Sequence, residues 1–445
     1  MRIVQDGHIQ PAAKLRPLDG RRFLLVTLPS GPFGRRLARA LKREGAQVRR
    51  AIMNGGDLVS WGVTDAVWPR APSPLWRAWI EWRLAEDEYT DIVVFGDAMV
   101  YSAEAVEAAK ALGIRAWVLE NGYNRPDWIT LEPGGVNAHS SLSRDARDYD
   151  HVDVPDASDE PPRIGRITPY HVVNITSYFT GVLLGSPMLP TYRYPYAVKL
   201  WPQMFGHIRR FGVGLWRRRV WRTAARDVLR QERPFFLACL QREGDSQLLA
   251  HSEVKTNRAF MAKVIASFAA YSDPGDALVF KNHPLDPGVD DLAAACVAIA
   301  TAHGVAERVV FLEGGVFAAL ATASRGVIAV NSTAAYAAIG FGKPVKLLGR
   351  ALFDVEGLVD RRGLDIFWQE PRAPDPALFA RFRRRLTERT QIWGSFHNPR
   401  HLDGTAARVV DRIKTLENEP WYRAPSRPAI ERSVVPFSGR RSAKA

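Results

Sequence analysis

The chain alternates short apolar runs of strand length with longer segments in which apolar residues recur at helical spacing. The apolar runs predict strands at Phe23–Pro29, Ile92–Phe95, Ala116–Glu120, Phe235–Gln241, Ala277–Lys281, Arg308–Leu312, Gly326–Val330 and Val345–Leu348. The intervening segments predict helices over Gly34–Glu44, Ala103–Leu112, Arg258–Tyr271 and Thr333–Phe341. Apolar strands that alternate with helices are typical of parallel sheets covered on both faces. The pattern therefore predicts an α/β protein.

The same pattern divides the chain into two lobes joined by a segment of different character. We expect an N-terminal extension over 1–18, a first lobe over 19–190, a basic helical segment over 191–233, a second lobe over 234–418 and a disordered basic tail over 419–445. The tail is rich in proline, serine and arginine. Such a composition has too little apolar surface to form a core, which is why disorder is expected.

Composition adds a charge surplus and excludes several classes of protein. Of 445 residues, 61 are Lys or Arg and 47 are Asp or Glu, a net charge of +14. That surplus favours nucleic acid, anionic lipid or phosphorylated substrates as partners. Two cysteines cannot build a disulfide framework or a four-thiolate zinc site. The apolar runs are too short to span a bilayer and Met1–Arg16 lacks a secretory signal, so a cytoplasmic protein is expected.

The basic segment has two interpretations. It is either a solvated helix between the lobes or a surface that rests on anionic lipid, where cations attract head groups and tryptophan enters the interface. The second interpretation gives acceptor or membrane contacts to Arg209, Arg210, Trp216, Arg217, Arg218, Arg219 and Arg222.

Five polar clusters follow predicted strands, at the edge where parallel α/β sheets bind ligands. The clusters are Ser30–Gly34, Glu120–Glu132, Gln241–Gln247, Lys281–Pro284 and Asn331–Thr333. The first and last open helices, so each is either an anion seat or a plain turn with an N-cap. The second is long and polar, with little helical or strand periodicity, and predicts binding or catalysis.

The third and fourth clusters contain the most specific chemistry. Asp245 is a candidate nucleophile, general base or helix N-cap. Lys281, His283 and the rigid Pro284 combine a cation with an imidazole and predict a phosphate site. Asp148-Tyr149-Asp150 has the form of a DxD metal motif, but it lies in an acidic loop and not after a strand, so no metal is predicted.

Taken in order, these clusters resemble the capsular polysaccharide synthesis family of bacterial β-Kdo transferases, in its single-module, phosphatidylglycerol-priming type. The matching motifs are Gly31-Pro32-Phe33, Asn54-Gly55-Gly56-Asp57, Phe95-Gly96-Asp97, Glu120–Pro126, Thr130–Asn137, Gln241–Asp245, His283-Pro284, Asn331-Ser332-Thr333 and Gly342-Lys343-Pro344. Each motif is common alone, but nine in family order are not expected by chance.

The resemblance implies two Rossmann-like lobes in a GT-B-like glycosyltransferase. It implies a retaining transfer of Kdo from CMP-Kdo to (lyso)phosphatidylglycerol, which primes the lipid linker of a capsular polysaccharide, with no cofactor beyond the donor substrate. The phospholipid acceptor would place the protein at the cytoplasmic face of the inner membrane as a peripheral protein. Other capsule synthesis and export proteins are further candidate partners, and nucleic acid is not.

The family's functional positions fall on residues already singled out. The resemblance implies Asp245 as the nucleophile and Glu120 as the acid/base on the acceptor side, with Glu132 as its rival. Retention by double displacement needs such a pair of groups. Because CMP-Kdo carries a phosphate and a carboxylate, its site also needs cations and amide donors. The donor-binding set is Arg125, Gln241, Lys281, His283, Pro284, Asn331, Ser332 and Thr333.

Two other function classes remain open. The net charge and the basic segment also suit a nucleic-acid-binding protein, and the same fold could serve as a non-catalytic capsule assembly or export factor. The first would need aromatic residues interleaved with basic ones on an open sheet face, whereas the aromatics here scatter through core strands. The presence of Asp245, His283 and Glu120 argues against the second.

Overall fold

The computed structural model describes residues 16–69, 73–154, 161–165, 168–187, 189, 192–194, 200–243, 254–422 and 424–425. Their strands are β1 (Arg22–Leu25), β2 (Gln47–Ala51), β3 (Ala66–Val67), β4 (Asp91–Phe95), β5 (Arg115–Asn121), β6 (Trp128–Pro133), β7 (Phe235–Cys239), β8 (Ala277–Lys281), β9 (Val309–Leu312), β10 (Gly326–Ala329), β11 (Val345–Leu347) and β12 (Gln391–Trp393).

The helices fill the intervals between these strands. They are α1 (Phe33–Arg43), α2 (Gly55–Trp61), α3 (Trp76–Glu86), α4 (Val100–Ala111), α5 (Thr168–Gly185), α6 (Leu200–Arg230), α7 (Asn257–Tyr271), α8 (Leu292–Ala302), α9 (Phe317–Ala323), α10 (Thr333–Gly340), α11 (Leu364–Gln369), α12 (Pro376–Thr390) and α13 (Leu402–Leu416). Within the described ranges, no helix combines the length and the apolar character needed to cross a membrane.

Two sheets form the centres of two lobes, and the predicted α/β fold with two Rossmann-like lobes is confirmed. The first sheet has the strand order β12-β6-β5-β4-β1-β2-β3, and the second has the order β11-β10-β7-β8-β9. Every pairing in the second sheet is parallel. All residues of β7 and β8 are buried, as expected for strands covered by helices on both faces.

Strand β6 corrects the expectation of a long polar stretch after β5. It forms an antiparallel hairpin with β5, in which Glu120 lies opposite Thr130. The strand is buried on both faces: Ile129 and Leu131 join an apolar cluster, while Thr130 and Glu132 are buried polar residues. The segment Ile129-Thr130-Leu131-Glu132 does alternate apolar and polar residues, as a strand does, but this signal is only four residues long and lies within a polar stretch.

The C-terminal part of the chain returns to the first lobe, which corrects the expected boundary at residue 418. Strand β12 pairs with β6 in the first sheet. Helix α13 packs against α1, and its Val409 and Ile413 belong to the apolar cluster of the first sheet. The second lobe therefore ends near Thr390.

Helix α5, which the sequence pattern did not predict, packs against α2 through glycines. A Cβ atom on Gly55 would lie 2.0 Å from the Gly181 carbonyl oxygen and 2.9 Å from the Gly185 Cα atom. Neither contact can be relieved by a side-chain rotation, since both involve backbone. The short Asn54-Gly55-Gly56-Asp57 segment thus lets two helices approach closely.

We expect Gly55→Ala to lower the free energy of unfolding by about 1–3 kcal/mol, the usual effect of overpacking. Urea unfolding followed by circular dichroism would measure it. Gly212→Ala is the matched control, because Gly212 lies inside α6 with no heavy atom within 4 Å of the added Cβ. Alanine should stabilise that helix by up to about 1 kcal/mol. Equal effects of the two substitutions would contradict the close packing of α5 on α2.

Candidate functional site

The second sheet brings three of the predicted clusters to one edge. Strands β10, β7 and β8 are neighbours and parallel. Asn331, Gln241 and Asn282 follow their carboxyl ends, so the polar residues after these strands lie side by side. This edge faces the loop between β5 and β6 of the first lobe, as the contacts below establish.

Gln241 and Asn331 are locked together by two hydrogen bonds. The Gln241 Nε2 donates to Asn331 Oδ1 at 2.9 Å, and the Asn331 backbone N donates to Gln241 Oε1 at 3.2 Å. Both ends of the Gln241 amide are therefore engaged, and this side chain fixes the loop after β10. In that loop the Ser332 Oγ accepts from the backbone N of Ala334 at 3.2 Å and caps α10.

His283 is held as a neutral hydrogen-bond donor. Its Nδ1 accepts from the Leu285 backbone N at 3.1 Å, so in the neutral ring Nε2 carries the proton. Burial, and then Lys281, Arg242, Arg125 and Arg210, lower the pKa of His283 to about 4. At neutral pH the ring therefore offers an N–H donor among cations, which suits a phosphate oxygen.

Lys281 is a buried cation beside this imidazole. Its Nζ lies 3.4 Å from the Asn282 carbonyl oxygen. Burial lowers the pKa of Lys281, the Cys239 thiol raises it and Arg210 lowers it further. Among the groups that shift its pKa in the described part of the chain there is no carboxylate. A buried ammonium without a carboxylate partner is costly, so its charge favours an anionic ligand.

Arg125 brings the first lobe to the same place. This exposed residue of the β5–β6 loop donates from Nε to the Gly122 carbonyl oxygen at 3.2 Å. Its charge is near enough to lower the pKa of His283 in the second lobe. The sequence placed Arg125 in the donor set only from its charge, and its role there stays a prediction.

Asn257, at the start of α7, is a site residue that the sequence analysis missed. Its Nδ2 donates to the Gln241 carbonyl oxygen and to Glu243 Oε2, both at 2.8 Å, and its backbone N also donates to Glu243 Oε2. These bonds hold Gln241 and Glu243, which follow β7, against the start of α7. Residues 244–253, including Asp245, lie outside the described ranges, so the role of Asp245 stays a prediction.

The two candidate acids of the first lobe have different surroundings. Glu120, at the end of β5, accepts from the Asn121 backbone N at 2.8 Å. Its Oε2 would lie 3.3 Å from a Cβ on Gly96, a residue with φ +66°, so glycine leaves room for this carboxylate. Glu120 is half-buried at the strand edge.

Glu132 is instead enclosed. Its Oε2 accepts from Ser140 Oγ at 2.5 Å and from the Ser141 backbone N at 3.3 Å, and its Oε1 has no partner in the described part of the protein. Burial and, more weakly, the Asp97 charge raise the pKa of Glu132 to about 8. A carboxyl group that is 1% exposed and protonated at neutral pH cannot take a proton from a substrate. Glu120 is the better placed of the two.

Asp97 orients a histidine near these acids. Its Oδ2 lies 3.0 Å from His139 Nδ1 and accepts from the Val136 backbone N at 2.9 Å. The sequence singled out Asp97 only within a family motif and gave no signal for His139. The two residues hold the segment after β6 against the edge of β4. No group of three metal-ligating side chains is present in the ranges that the structure describes.

The basic segment divides into two parts. Arg210 pairs with Asp286 at 3.0 Å and Glu313 at 2.8 Å, and Arg209 donates to the Gly288 carbonyl oxygen at 2.6 Å. These two arginines attach α6 to the second lobe. Arg210 is only 12% exposed and paired with two carboxylates, which argues against its expected place on a membrane surface, whereas Arg209 is exposed and its place there stays a prediction. Trp216, Arg217, Arg219 and Arg222 are also exposed on α6, and the side chain of Arg218 lies outside the described set.

Comparisons with known proteins identify a family and several relatives. Residues 90–397 match the family described as Capsule polysaccharide biosynthesis protein. The chain is 30% identical over 384 residues to the Capsule polysaccharide export protein KpsS of Escherichia coli, covering 84% of this chain and 96% of that protein. It is 28% identical over 389 residues to the Capsule polysaccharide modification protein LipB of Neisseria meningitidis serogroup B, covering 84% and 91%.

A solved structure is similar at a lower level of identity. The KpsC beta Kdo 2,7 transferase of Thermosulfurimonas dismutans is 14% identical, with a TM-score of 0.41, over 88% of this chain and 99% of that chain.

Proposed function

Because the chain belongs to the capsule polysaccharide biosynthesis protein family, we propose that it is a retaining glycosyltransferase that acts on a capsule component. The donor would be CMP-Kdo and the acceptor (lyso)phosphatidylglycerol, so that the product primes the lipid linker of the polysaccharide. The observation that carries the proposal is the buried Lys281 at the end of β8, two residues before a neutral His283, with the Arg125 charge of the other lobe near enough to lower the pKa of His283.

These three groups suit the phosphate of CMP. The ammonium and the guanidinium would neutralise the charge that develops when CMP leaves, and the His283 Nε2–H would donate to a phosphate oxygen. Ser332, which caps α10, and Thr333, its first residue, would contribute backbone N–H groups at the N-terminus of that helix. A donor with a single phosphate has little need of a metal, and none is part of the proposal.

The reaction would proceed by two displacements. In the first, an Asp245 carboxylate oxygen forms a bond to the anomeric carbon of Kdo while the bond from that carbon to the CMP phosphate oxygen breaks. In the second, the acceptor hydroxyl oxygen bonds to the anomeric carbon, the Asp245 ester bond breaks, and the hydroxyl proton passes to Glu120. Two inversions give net retention.

A phospholipid acceptor requires contact with a bilayer surface. Trp216 is 90% exposed on α6, next to the exposed Arg217 and Arg219. Each cation near an anionic surface contributes about 1 kcal/mol of attraction, and an exposed tryptophan suits the interface. We therefore propose the broad exposed surface of α6 around Trp216 as the membrane contact of a peripheral protein at the cytoplasmic face of the inner membrane.

Reversing three arginines of this surface to glutamate is expected to weaken binding to phosphatidylglycerol vesicles by about 100-fold or more, from the loss of about 1 kcal/mol per cation. Vesicle co-sedimentation would measure it on the triple variant Arg217→Glu, Arg219→Glu, Arg222→Glu. The matched control reverses Arg35, Arg39 and Arg43, which are exposed on α1. Each triple lowers the net charge by 6, from +14 to +8. Equal losses would mean that only overall charge matters.

The central test is incubation of the protein with CMP-Kdo and a short-chain phosphatidylglycerol, followed by mass spectrometry of the lipid. Addition of one Kdo supports priming, and addition of several would replace priming by extension. No addition would remove the transferase proposal. The second candidate is a non-catalytic capsule assembly or export factor, because the E. coli relative is described as a capsule polysaccharide export protein. A non-catalytic factor would give no modified lipid at any concentration of the protein.

A further inference from the structure

The loop between β5 and β6 sends neighbouring side chains to different places. The Tyr123 ring enters the apolar cluster of the second lobe, with centroids 5.6 Å from Tyr336 and 6.2 Å from Phe353. Its backbone N donates to Gln391 Oε1 at 2.8 Å. Arg125 follows two residues later, and its charge is near enough to His283 to lower the pKa of that imidazole. The loop is thus anchored in the second lobe immediately beside the cation that it presents.

Asn124, between these two residues, contacts two helices of the second lobe at once. Its Nδ2 donates to Thr387 Oγ1 of α12 at 2.8 Å, and its Oδ1 accepts from the Tyr336 hydroxyl of α10 at 3.1 Å. Burial raises the pKa of Tyr336, so its hydroxyl stays protonated and remains the donor. The amide nitrogen and the amide oxygen of Asn124 therefore both form hydrogen bonds from the first lobe to the second.

The Tyr336 end of this contact leads directly to the donor site. Helix α10 begins at Thr333 behind the Ser332 cap, and Tyr336 lies one turn farther along the same helix. The loop before α10 is held by the Gln241–Asn331 pair. A helical turn is stiff, so the position of Asn124 is tied to the residues proposed to contact the nucleotide.

We propose that Asn124 is a positioning residue that sets Arg125 against the phosphate of the donor. It acts through its bond to Tyr336, which fixes the β5–β6 loop relative to α10. The inference rests on the proposed function for the identity of the anion. The contact of Asn124 with Tyr336, which we call the joint, does not depend on that function. The inference gives a physical role to an asparagine that lies inside the Glu120–Pro126 motif but was not assigned a function of its own.

The test compares the contribution of Arg125 with and without the joint. CMP binding is measured by titration calorimetry for the unmodified protein, Arg125→Ala, Tyr336→Phe and the double variant, with Asn124→Ala as a second way to break the joint. We expect Arg125→Ala to weaken CMP binding about tenfold alone but about twofold or less in the Tyr336→Phe background. If Asn124 and Tyr336 contributed only to stability, Arg125→Ala would still weaken CMP binding about tenfold in the Tyr336→Phe background.

The matched control is Tyr149→Phe. Tyr149 is buried in the same apolar cluster, its ring packs on Phe382 at 5.3 Å, and its hydroxyl donates to the Ser143 carbonyl oxygen, away from the loop. In that background the effect of Arg125→Ala should stay about tenfold, because independent sites add.

A ligand-free measurement separates the joint from the function. The backbone amide hydrogens of residues 121–125 and 127 should exchange faster in Tyr336→Phe and not in Tyr149→Phe. Unchanged exchange, or a full Arg125 effect in both joint variants, would overturn the positioning role and leave the transferase proposal standing. If the unmodified protein does not bind CMP, the donor proposal fails, while the exchange result still decides whether Asn124 and Tyr336 hold the loop.

Discussion

Asp245→Asn is expected to lower the rate of Kdo transfer by about 10⁴-fold or more, because an amide cannot form the glycosyl ester that both displacements require. Product formation would be followed by mass spectrometry of the lipid. Glu120→Gln should stop the reaction one step later, since the nucleophile is intact and only the base for the acceptor hydroxyl is lost. Intact-protein mass spectrometry of Glu120→Gln with CMP-Kdo should then show one Kdo attached to the protein.

The control for this pair is Asp290→Asn, in an exposed loop of the second lobe. It makes the same change of charge and should keep the transfer rate. Full activity of Asp245→Asn would refute the double displacement. Loss of activity in Glu120→Gln without any adduct would place Glu120 outside the second step, and an adduct on a residue other than Asp245 would move the nucleophile.

The second sheet could be predicted from the sequence because its strands are simple. Residues 235–239 and 277–281 are entirely buried, and each run of apolar residues stands out between polar segments. The candidate site residues at its edge were chosen for the same reason: Lys281 is the last residue of a recognisable strand, and His283 follows it by two residues. Parallel pairing then brings separate clusters together without any further information.

The first lobe was harder to predict because its strand signal is short in places and its contacts are long-range. The alternation of apolar and polar residues in Ile129-Thr130-Leu131-Glu132 covers only four residues inside a polar stretch, so β6 was interpreted as a polar loop. Strand β12 is three residues long and pairs with a strand more than 250 residues earlier, which no local pattern reveals. Asn124 and Asn257 act through hydrogen bonds to distant residues, and an isolated asparagine has no sequence signature.

The contacts of individual arginines, and not the composition, show where the positive charges of the chain lie. Arg210 and Arg209 bind the loop after β8 and stabilise the position of α6, and Arg125 faces the candidate phosphate site. Arg217, Arg219 and Arg222 remain exposed on α6. Arginines that are indistinguishable in the sequence therefore serve different purposes, and only their partners separate them.

Lys281→Met is expected to weaken CMP binding by about 100-fold while raising the melting temperature. A hydrogen bond to a charged group is worth about 1.5–3 kcal/mol, which corresponds to the loss of affinity. Burial lowers the pKa of Lys281 from 10.5, so the folded state disfavours its charged form. That penalty is fully present below the lowered pKa and disappears as the pH rises past 10.5, where the lysine is neutral in both states. The gain in stability should therefore be largest near neutral pH.

Lys346→Met is the matched control, because Lys346 is also a buried lysine with a lowered pKa. Its Nζ donates to two carbonyl oxygens, those of Asp360 (3.2 Å) and Arg362, whereas Lys281 makes one longer bond of 3.4 Å to the Asn282 carbonyl oxygen, so removal of Lys346 leaves more buried acceptors without a donor. This variant should lose stability and keep its affinity for CMP, the opposite of Lys281→Met in both measurements. If Lys281→Met instead destabilised the fold and bound CMP normally, Lys281 would be a structural lysine, and the phosphate would have to be bound elsewhere. The opposite signs make the test independent of how large either effect is.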